Sequence, residues 1–200
     1  MRKLVALAAL VVGAVALWWR KNPSACPYSQ RFWVEAPHPL ITRARLREIL
    51  EPQPGERVLE IGPGTGYYTL DLAAWVGEEG AIEIFDIQQE MLDHTIRAAA
   101  ERSLLNVNPT RGDAQELGWD DDTFDAAILI TVLGEIPDQD AALREVARVL
   151  RPGGRLIVGE LLGDPHYVTP GSLQRRAEAA GLRFERRVGP RVGYFARFRA

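Results

Sequence analysis

The chain has 200 residues and a formal net charge of −3, and 46% of its residues are hydrophobic while 26% are charged. This composition fits one globular domain with a small appendage, and it excludes a disordered or collagen-like chain. The weak negative charge argues against nucleic acid as a partner, because neutralising phosphates needs a concentrated basic surface.

Residues 1–21 are predicted to form a membrane-associating helix. An uncharged apolar run, 4–19, lies between two basic pairs. As a helix this run is roughly 24 Å long, somewhat shorter than the hydrocarbon core of a bilayer at about 30 Å. Trp18 and Trp19 at its end suit the lipid headgroup region. A secretory signal peptide, with Ala14-Val15-Ala16 as the cleavage pattern, and an ordinary buried helix are the alternatives.

Residues 22–39 are rich in proline and aromatic residues, which predicts an irregular linker or lid. His38, which lies between two prolines, is a candidate catalytic residue in this segment. Cys26 is the only cysteine, so an internal disulfide is excluded, and no Cys/His group has the spacing of zinc ligands. We therefore expect no metal site and assign Cys26 no role.

The remainder, residues 40–200, is predicted to be one α/β domain. Short apolar runs, typical of strands in a parallel sheet covered on both faces, alternate with helical stretches. The predicted strands are 57–61, 81–86, 107–111, 124–130 and 155–160, and the predicted helices are 40–50, 67–75, 88–104, 138–150 and 170–181. This alternation indicates a doubly wound, Rossmann-like sheet.

The last two predicted strands, 182–188 and 193–199, are joined by a connection too short for a parallel crossover. They are therefore expected to form an antiparallel hairpin at the end of an otherwise parallel sheet.

A glycine-rich turn follows the first predicted strand, in the sequence Glu60-Ile61-Gly62-Pro63-Gly64-Thr65-Gly66. Glycines there let backbone N–H groups approach a ligand at a helix N-terminus. A dinucleotide-binding turn would carry its third glycine at Tyr67, so the spacing differs from that pattern. The carboxylate of Glu60 would repel a pyrophosphate and attract an ammonium or sulfonium group. The turn therefore favours a zwitterionic or cationic ligand, and a nicotinamide-dependent dehydrogenase is disfavoured.

Two more acidic residues follow the next two strands. Asp86 lies where an acid can accept hydrogen bonds from both hydroxyls of a ribose, and Asp113 where an acid can bind the exocyclic amine of an adenine. A helix cap or a turn is the structural alternative for each. Because ligands of open α/β sheets bind outside the carboxyl ends of the strands, Glu60, Asp86 and Asp113 are expected to line one crevice.

These residues resemble the motifs of the class I S-adenosylmethionine-dependent methyltransferases, and the resemblance covers most of residues 54–200. Two further stretches, 122–130 and 150–156, are similar to later motifs of that family. The resemblance implies a seven-stranded sheet with S-adenosylmethionine as the cofactor. The cofactor-binding residues that we predict on this basis are Glu60, Gly62, Gly64, Gly66, Asp86, Ile87, Asp113, Ala114 and Thr131.

Within that family, residues 112–154 look most like the quinone C-methyltransferase branch. The chain departs from that branch at Gly118-Trp119, where Pro-Phe is usual, and at 131–135, which replaces a characteristic Phe-Gly-Leu-Arg-Asn signature. Small bacterial phospholipid N-methyltransferases have a similar length and are membrane-bound, which keeps a lipid headgroup among the possible acceptors by analogy.

Methyl transfer from a sulfonium depends mainly on positioning and on exclusion of water, and a base helps when the acceptor loses a proton. Glu135, just after the fourth predicted strand, is the best-placed candidate, and a solvated loop residue is the alternative. We also considered residues that flank the expected site, for which packing or exposure is an equal or better explanation: Tyr67, Tyr68, His166, Tyr167, Arg43, Arg45 and Arg47.

The sequence therefore predicts an enzyme that methylates a lipophilic small molecule or lipid at the membrane surface, with the catalytic domain facing the cytoplasm. A quinone-type C-methyltransferase and a cofactor-binding protein without transferase activity are the alternatives. The sequence gives no oligomeric state.

Overall fold

The computed structural model describes residues 22–32 and 38–200. A short 3-10 helix, Tyr28–Gln30, precedes the α/β domain, and a second, Leu133–Glu135, follows the fourth strand. The α-helices are α1 (Arg43–Leu50), α2 (Thr69–Val76), α3 (Gln89–Glu101), α4 (Gln139–Val149) and α5 (Pro170–Ala179). The strands are β1 (Arg57–Ile61), β2 (Ala81–Asp86), β3 (Val107–Arg111), β4 (Phe124–Ile130), β5 (Leu150–Leu161), β6 (Arg183–Val188) and β7 (Gly193–Arg199).

The seven strands form one sheet in the order β3-β2-β1-β4-β5-β7-β6. The first five strands are parallel, and β7 is inserted antiparallel between β5 and β6. The predicted Rossmann-like sheet of seven strands, with an antiparallel pair at the end of the chain, is confirmed. Because β1 pairs with both β2 and β4, the strand order reverses next to β1, and this reversal opens a crevice at the carboxyl ends of these strands.

The two faces of the sheet are covered by separate apolar clusters. Side chains alternate between faces along β1, so that Val58 belongs to one cluster and Leu59 and Ile61 to the other. The amphipathic helix α4 packs against the cluster that contains Leu59 and Ile61. Its buried residues recur at helical spacing: Ala142, Leu143, Val146 and Val149. Both faces of the central strands are therefore buried, as their unbroken apolar runs predict.

Strand β3 departs from the prediction that each parallel strand is covered on both faces. Only Val107 is buried, and the next four residues are exposed, because β3 is the edge of the sheet and pairs only with β2. Pro109 lies in this strand. Proline lacks the N–H that an inner strand donates, and is therefore suited to an edge.

Strand β5 is longer than predicted at its start. Leu150, placed at the end of a helix by the sequence pattern, pairs with Phe124, and the next pair joins Arg155 to Ala126. The intervening Pro152-Gly153-Gly154 forms an irregularity within the strand rather than a turn before it.

The predicted membrane helix, residues 1–21, lies outside the described residues. Within residues 22–32 and 38–200 the structure contains no helix long and apolar enough to cross a bilayer.

Candidate functional site

A cavity of about 820 Å³ lies at the carboxyl ends of β1, β2 and β4, at the reversal of strand order. Its walls come from the loops after these strands, from the loop after β5 and from the N-terminal segment. The predicted site residues that line it are Gly62, Gly64, Asp86, Ile87, Asp113, Ala114, Thr131, Glu135 and His38. Two predicted cofactor residues, Glu60 and Gly66, do not line it.

The glycine loop approaches the β4 side of the cavity closely. Gly62 has φ +69°, and a Cβ atom added there would lie 2.3 Å from Cγ2 of Val132. Only glycine fits both the left-handed backbone and the contact. Helix α2 begins at Thr69, two residues later than predicted, because residues 65–68 form turns that continue the loop.

Thr131 also holds a left-handed backbone, with φ +55°, which is unusual for a β-branched residue. Its N–H donates to the carbonyl oxygen of Gly159 on β5 at 2.8 Å. Strained residues of this kind cluster at ligand-binding sites, where the surrounding structure holds them in place.

Glu60 lies beneath the glycine loop rather than in the cavity. Its neighbour Ile61 points into the cavity, and the alternation of side chains along β1 directs Glu60 to the opposite face. There it is 3% exposed and accepts a hydrogen bond from Oγ1 of Thr69 at 2.6 Å. Burial raises the pKa of Glu60 to about 7, and the hydrogen bond from Thr69 opposes part of that rise. Glu60 therefore does not face the cavity, and its contact with the cofactor stays a prediction.

The raised pKa of Glu60 makes a prediction about stability. Glu60 has a pKa of about 7 in the folded protein and an ordinary value of 4.5 in the unfolded chain, so the folded state binds the proton more tightly. Its contribution to the free energy of unfolding is therefore fully present below pH 4.5 and is lost as the pH rises through the window from 4.5 to about 7. The variant Glu60→Gln, which cannot ionise, is expected to gain in midpoint unfolding temperature relative to the parent protein as the pH rises across the window. Calorimetry of both proteins at several pH values measures this, and a constant difference between them would mean that Glu60 does not titrate there.

Asp86 and Asp113 lie at the ends of β2 and β3 and both line the cavity. Oδ1 of Asp86 accepts the backbone N–H of Gln88 at 2.8 Å, so Asp86 also supports the start of α3, and burial raises its pKa. Asp113 is held by Gln115, whose backbone N–H and side-chain amide both donate to it. Asp86 is not itself the N-cap of α3, which is Gln88, and at both positions the local hydrogen bonds are compatible with ligand binding.

The N-terminal segment covers the cavity, and residues 23–27 line it. Oε1 of Gln88 accepts the N–H of Tyr28 at 3.2 Å, and its Nε2 donates to the carbonyl oxygen of Cys26 at 3.0 Å. Oε2 of Glu135 accepts the N–H of Cys26 at 3.2 Å. The sequence reasoning missed Gln88, although its place two residues after Asp86 was a signal, and it left Cys26 without a role that its backbone has.

Glu135 is a partly buried acid on the 3-10 helix after β4. Burial is the main cause that raises its pKa to about 8, and the nearby carboxylate of Asp164 adds to it. Asp164, in the loop after β5, lines the same cavity. It was not predicted from the sequence, because no motif marks this acid, and His166 in the same loop was named instead.

The remaining candidates divide between the cavity and the scaffold. His38 and His166 line the cavity, and the ring of His38 contacts that of Tyr67 at 5.2 Å between centroids. Neither Tyr67 nor Tyr68 lines it, and Tyr68 is buried with its hydroxyl donating to the carbonyl oxygen of Ile41.

The arginines of α1 also serve the scaffold. Arg43 pairs with Asp71 at 2.8 Å, and the guanidinium of Arg47 lies over the ring of Trp75. Nη1 of Arg45 donates to the carbonyl oxygen of Leu40.

The residues present fit a nucleoside cofactor. Gly62 and Gly64 bring backbone rather than side chain to the lining of the cavity, and Asp86 and Asp113 provide two acceptors at the ends of adjacent strands. Hydrogen-bond acceptors spaced in this way suit ribose hydroxyls and an adenine amine.

Comparisons with known proteins agree with this geometry. The sequence profile of the ubiE/COQ5 methyltransferase family matches residues 37–165. A "Ubiquinone/menaquinone biosynthesis C-methyltransferase UbiE" from Teredinibacter turnerae is 40% identical over 114 residues, which are 56% of this chain and 46% of that protein. The chain thus matches less than half the length of this curated relative.

Two solved structures share the fold. A SAM-dependent methyltransferase from Aquifex aeolicus superposes with a TM-score of 0.79 at 21% identity, covering 88% of this chain and 98% of that one. The [4+2]-cyclase SpnF superposes with a TM-score of 0.69 at 22% identity, covering 78% of each chain. At such identities the likeness concerns the fold alone. With the family profile matched over most of the domain, the chain belongs to the ubiE/COQ5 methyltransferase family, and its cofactor is S-adenosylmethionine.

Proposed function

We propose that this protein transfers a methyl group from S-adenosylmethionine to a carbon atom of a lipophilic, quinone-type acceptor in its reduced form. The family and the named activity of the curated relatives favour this acceptor over the lipid headgroup that the sequence also suggested. The observation that carries the proposal is the lining of the 820 Å³ cavity, which combines the acids that suit a nucleoside with a largely apolar wall. The apolar side chains of that wall are Met91, Ile130, Val132, Ile136 and Leu161.

When bound, the cofactor supplies a methyl group that is already activated by a positively charged sulfur. The chain therefore has to position the acceptor and exclude water. Residues 23–27, held by Gln88 and Glu135, cover the cavity and shield it from solvent. The apolar wall binds the ring of the acceptor by excluding water from it.

A radiolabelled-methyl assay with purified protein tests the proposal. The acceptors are 1,4-dihydroxynaphthalene kept reduced, phosphatidylethanolamine in vesicles, and buffer alone. Label is expected in the naphthalene product. Label in the phospholipid would favour a headgroup methyltransferase, and tight cofactor binding with no labelled product from any acceptor would favour a cofactor-binding protein.

We also propose that residues 1–21 hold the protein at a membrane with the catalytic domain on the cytoplasmic side, where a lipophilic acceptor is concentrated. The support is the apolar run between basic pairs. Deleting residues 1–21 is expected to move the protein from the membrane fraction to the supernatant while the affinity for S-adenosylmethionine stays unchanged. A truncated protein that still sediments with membranes, in extracts washed with high salt, would contradict this role.

A further inference from the structure

Three carboxyl groups lie close together where the loops after β4 and β5 meet, and we call Glu135, Glu160 and Asp164 the carboxyl cluster. Glu135 follows β4, Glu160 lies near the end of β5, and Asp164 is in the loop after β5. The negative charge of Asp164 raises the pKa of both glutamates, and that of Glu135 raises the pKa of Glu160, in each case in addition to the larger effect of burial. The described residues form no group of three ligands suited to a metal ion, so this cluster does not fit a metal site.

Glu160 is the buried member of the cluster. Only 1% of the residue is exposed, and Oε2 accepts the N–H of Val168 at 3.1 Å while Oε1 is buried without a hydrogen-bond partner. A buried carboxylate oxygen without a partner is costly, and protonation relieves that cost. Burial accordingly raises the pKa of Glu160 well above its usual value.

Backbone packing brings the loop after β4, which carries Glu135, next to the loop after β5, which carries Asp164. A Cβ atom added to Gly134 would lie 1.8 Å from the carbonyl oxygen of His166, so the 3-10 helix that carries Glu135 is in close contact with the loop that carries Asp164. Asp164 is held in turn by the N–H of His166, which donates to its Oδ1 at 2.6 Å. Backbone contacts between the two loops therefore hold the members of the carboxyl cluster next to one another.

Acids outnumber bases in the lining of the cavity. Asp86, Asp113, Glu135 and Asp164 line it, and the basic residues among the described lining residues are two histidines, with no lysine or arginine. A negatively charged acceptor would face repulsion from the carboxylate of Asp164. An uncharged acceptor avoids this repulsion and can donate a hydrogen bond to the same oxygens.

We propose that the carboxyl cluster takes the proton that an uncharged, hydroxyl-bearing acceptor releases on methylation, and that it excludes acceptors carrying a negative charge. This inference rests on the proposed function. In the step, an O–H bond of the acceptor breaks and its proton goes to a carboxylate oxygen of the cluster. The electron pair left on the acceptor forms the bond from its ring carbon to the methyl carbon. The bond between that methyl carbon and the sulfur of the cofactor breaks, and its electron pair stays on the sulfur. Tautomerisation moves the ring proton to oxygen, so one proton is released in total.

Glu135 and Asp164 line the cavity and are the residues placed to touch the acceptor, whereas Glu160 is a positioning residue behind them. The groups that face Glu135 are Asp164, Glu160 and Asp86, together with the N–H of Cys26. All three neighbours are acids, and their negative charges favour a proton on Glu135. The carboxylate of Asp164 is then the group that takes the acceptor's proton and repels an anion.

The first test measures the cluster itself. Carbon-13 NMR of the side-chain carboxyls, in the full-length protein saturated with S-adenosylhomocysteine, follows titration, and Glu135→Gln assigns the signal. Glu135 is expected to titrate near pH 8, and to titrate at lower pH in Asp164→Asn, because a neighbouring negative charge is lost. Titration of Glu135 at or below its usual value of 4.5, or no change in Asp164→Asn, would overturn the proposal.

The second test measures acceptor choice by binding. The probes are 1,4-dihydroxynaphthalene and its 2-carboxylate, which differ by one negative charge, titrated into the same complex by calorimetry. The uncharged probe is expected to bind at least about tenfold more tightly, and Asp164→Asn is expected to reduce that preference, while Glu116→Gln, an exposed acid outside the cavity, is expected to leave it unchanged.

Equal binding of the two probes, or an unaltered preference in Asp164→Asn, would overturn the exclusion of anions. If neither probe binds, the proposed acceptor class is wrong, and the NMR titration still decides whether the cluster holds a proton. The failure of the proposed function is thereby distinguished from the failure of the inference.

Discussion

Replacing Asp86 by alanine is expected to weaken the binding of S-adenosylmethionine by about 100-fold or more. Asp86 lines the cavity at the end of β2, where a carboxylate can accept hydrogen bonds from both ribose hydroxyls. Hydrogen bonds to a charged group contribute about 1.5–3 kcal/mol each, and two of them account for a loss of this size. Isothermal titration calorimetry with the purified protein measures it.

Two control variants separate ligand binding from folding. Oδ1 of Asp86 also accepts the N–H of Gln88, so Asp86→Asn, which keeps an oxygen acceptor for that N–H, is expected to preserve the unfolding temperature while still weakening the cofactor. Asp93→Ala removes an exposed acid from α3 that does not line the cavity, and is expected to bind normally. Normal cofactor affinity in Asp86→Ala would show that the ribose is held elsewhere.

Replacing Gly134 by alanine is expected to lower the free energy of unfolding by about 3 kcal/mol. It is also expected to displace Glu135, the next residue, which lines the cavity. The added Cβ would lie 1.8 Å from the carbonyl oxygen of His166, which is backbone and cannot move aside as a flexible side chain does. Overpacking of this kind typically costs 1–3 kcal/mol and occasionally more. The midpoint unfolding temperature is then expected to fall by about 6–12 °C in a chain of this size.

The matched control is Gly118→Ala, where an added Cβ meets no atom within 4 Å. Its unfolding temperature is expected to stay within about 2 °C of that of the parent protein. If Gly134→Ala is as stable as Gly118→Ala, the loop after β5 is not packed against the 3-10 helix as described.

The sheet was predictable because its central strands are short, continuous apolar runs, a pattern that burial on both faces produces. The antiparallel end was predictable because the connection before β7 is too short for a crossover. The exposure of β3 was missed, although Val107-Asn108-Pro109-Thr110-Arg111 carries three polar residues and a proline, which suit an edge strand. Edge position itself depends on a strand order that no local pattern specifies.

The candidate site was predictable where a residue follows directly from a strand end, as for Asp86, Asp113 and Glu135. Glu60 shows the limit of this reasoning. It also lies near a strand end, but the alternation of side chains along β1 turns it away from the cavity and towards Thr69. The carboxyl cluster depends on a contact between Gly134 and His166, which are 32 residues apart, and such packing is not visible in the sequence.

The most direct test of the account is mass spectrometry of the product formed from trideuteromethyl-labelled S-adenosylmethionine and reduced 1,4-dihydroxynaphthalene. The account predicts one trideuteromethyl group on a ring carbon, formed by the parent protein and lost in Asp86→Ala. A label on oxygen, or a product that Asp86→Ala forms at the parent rate, would contradict it.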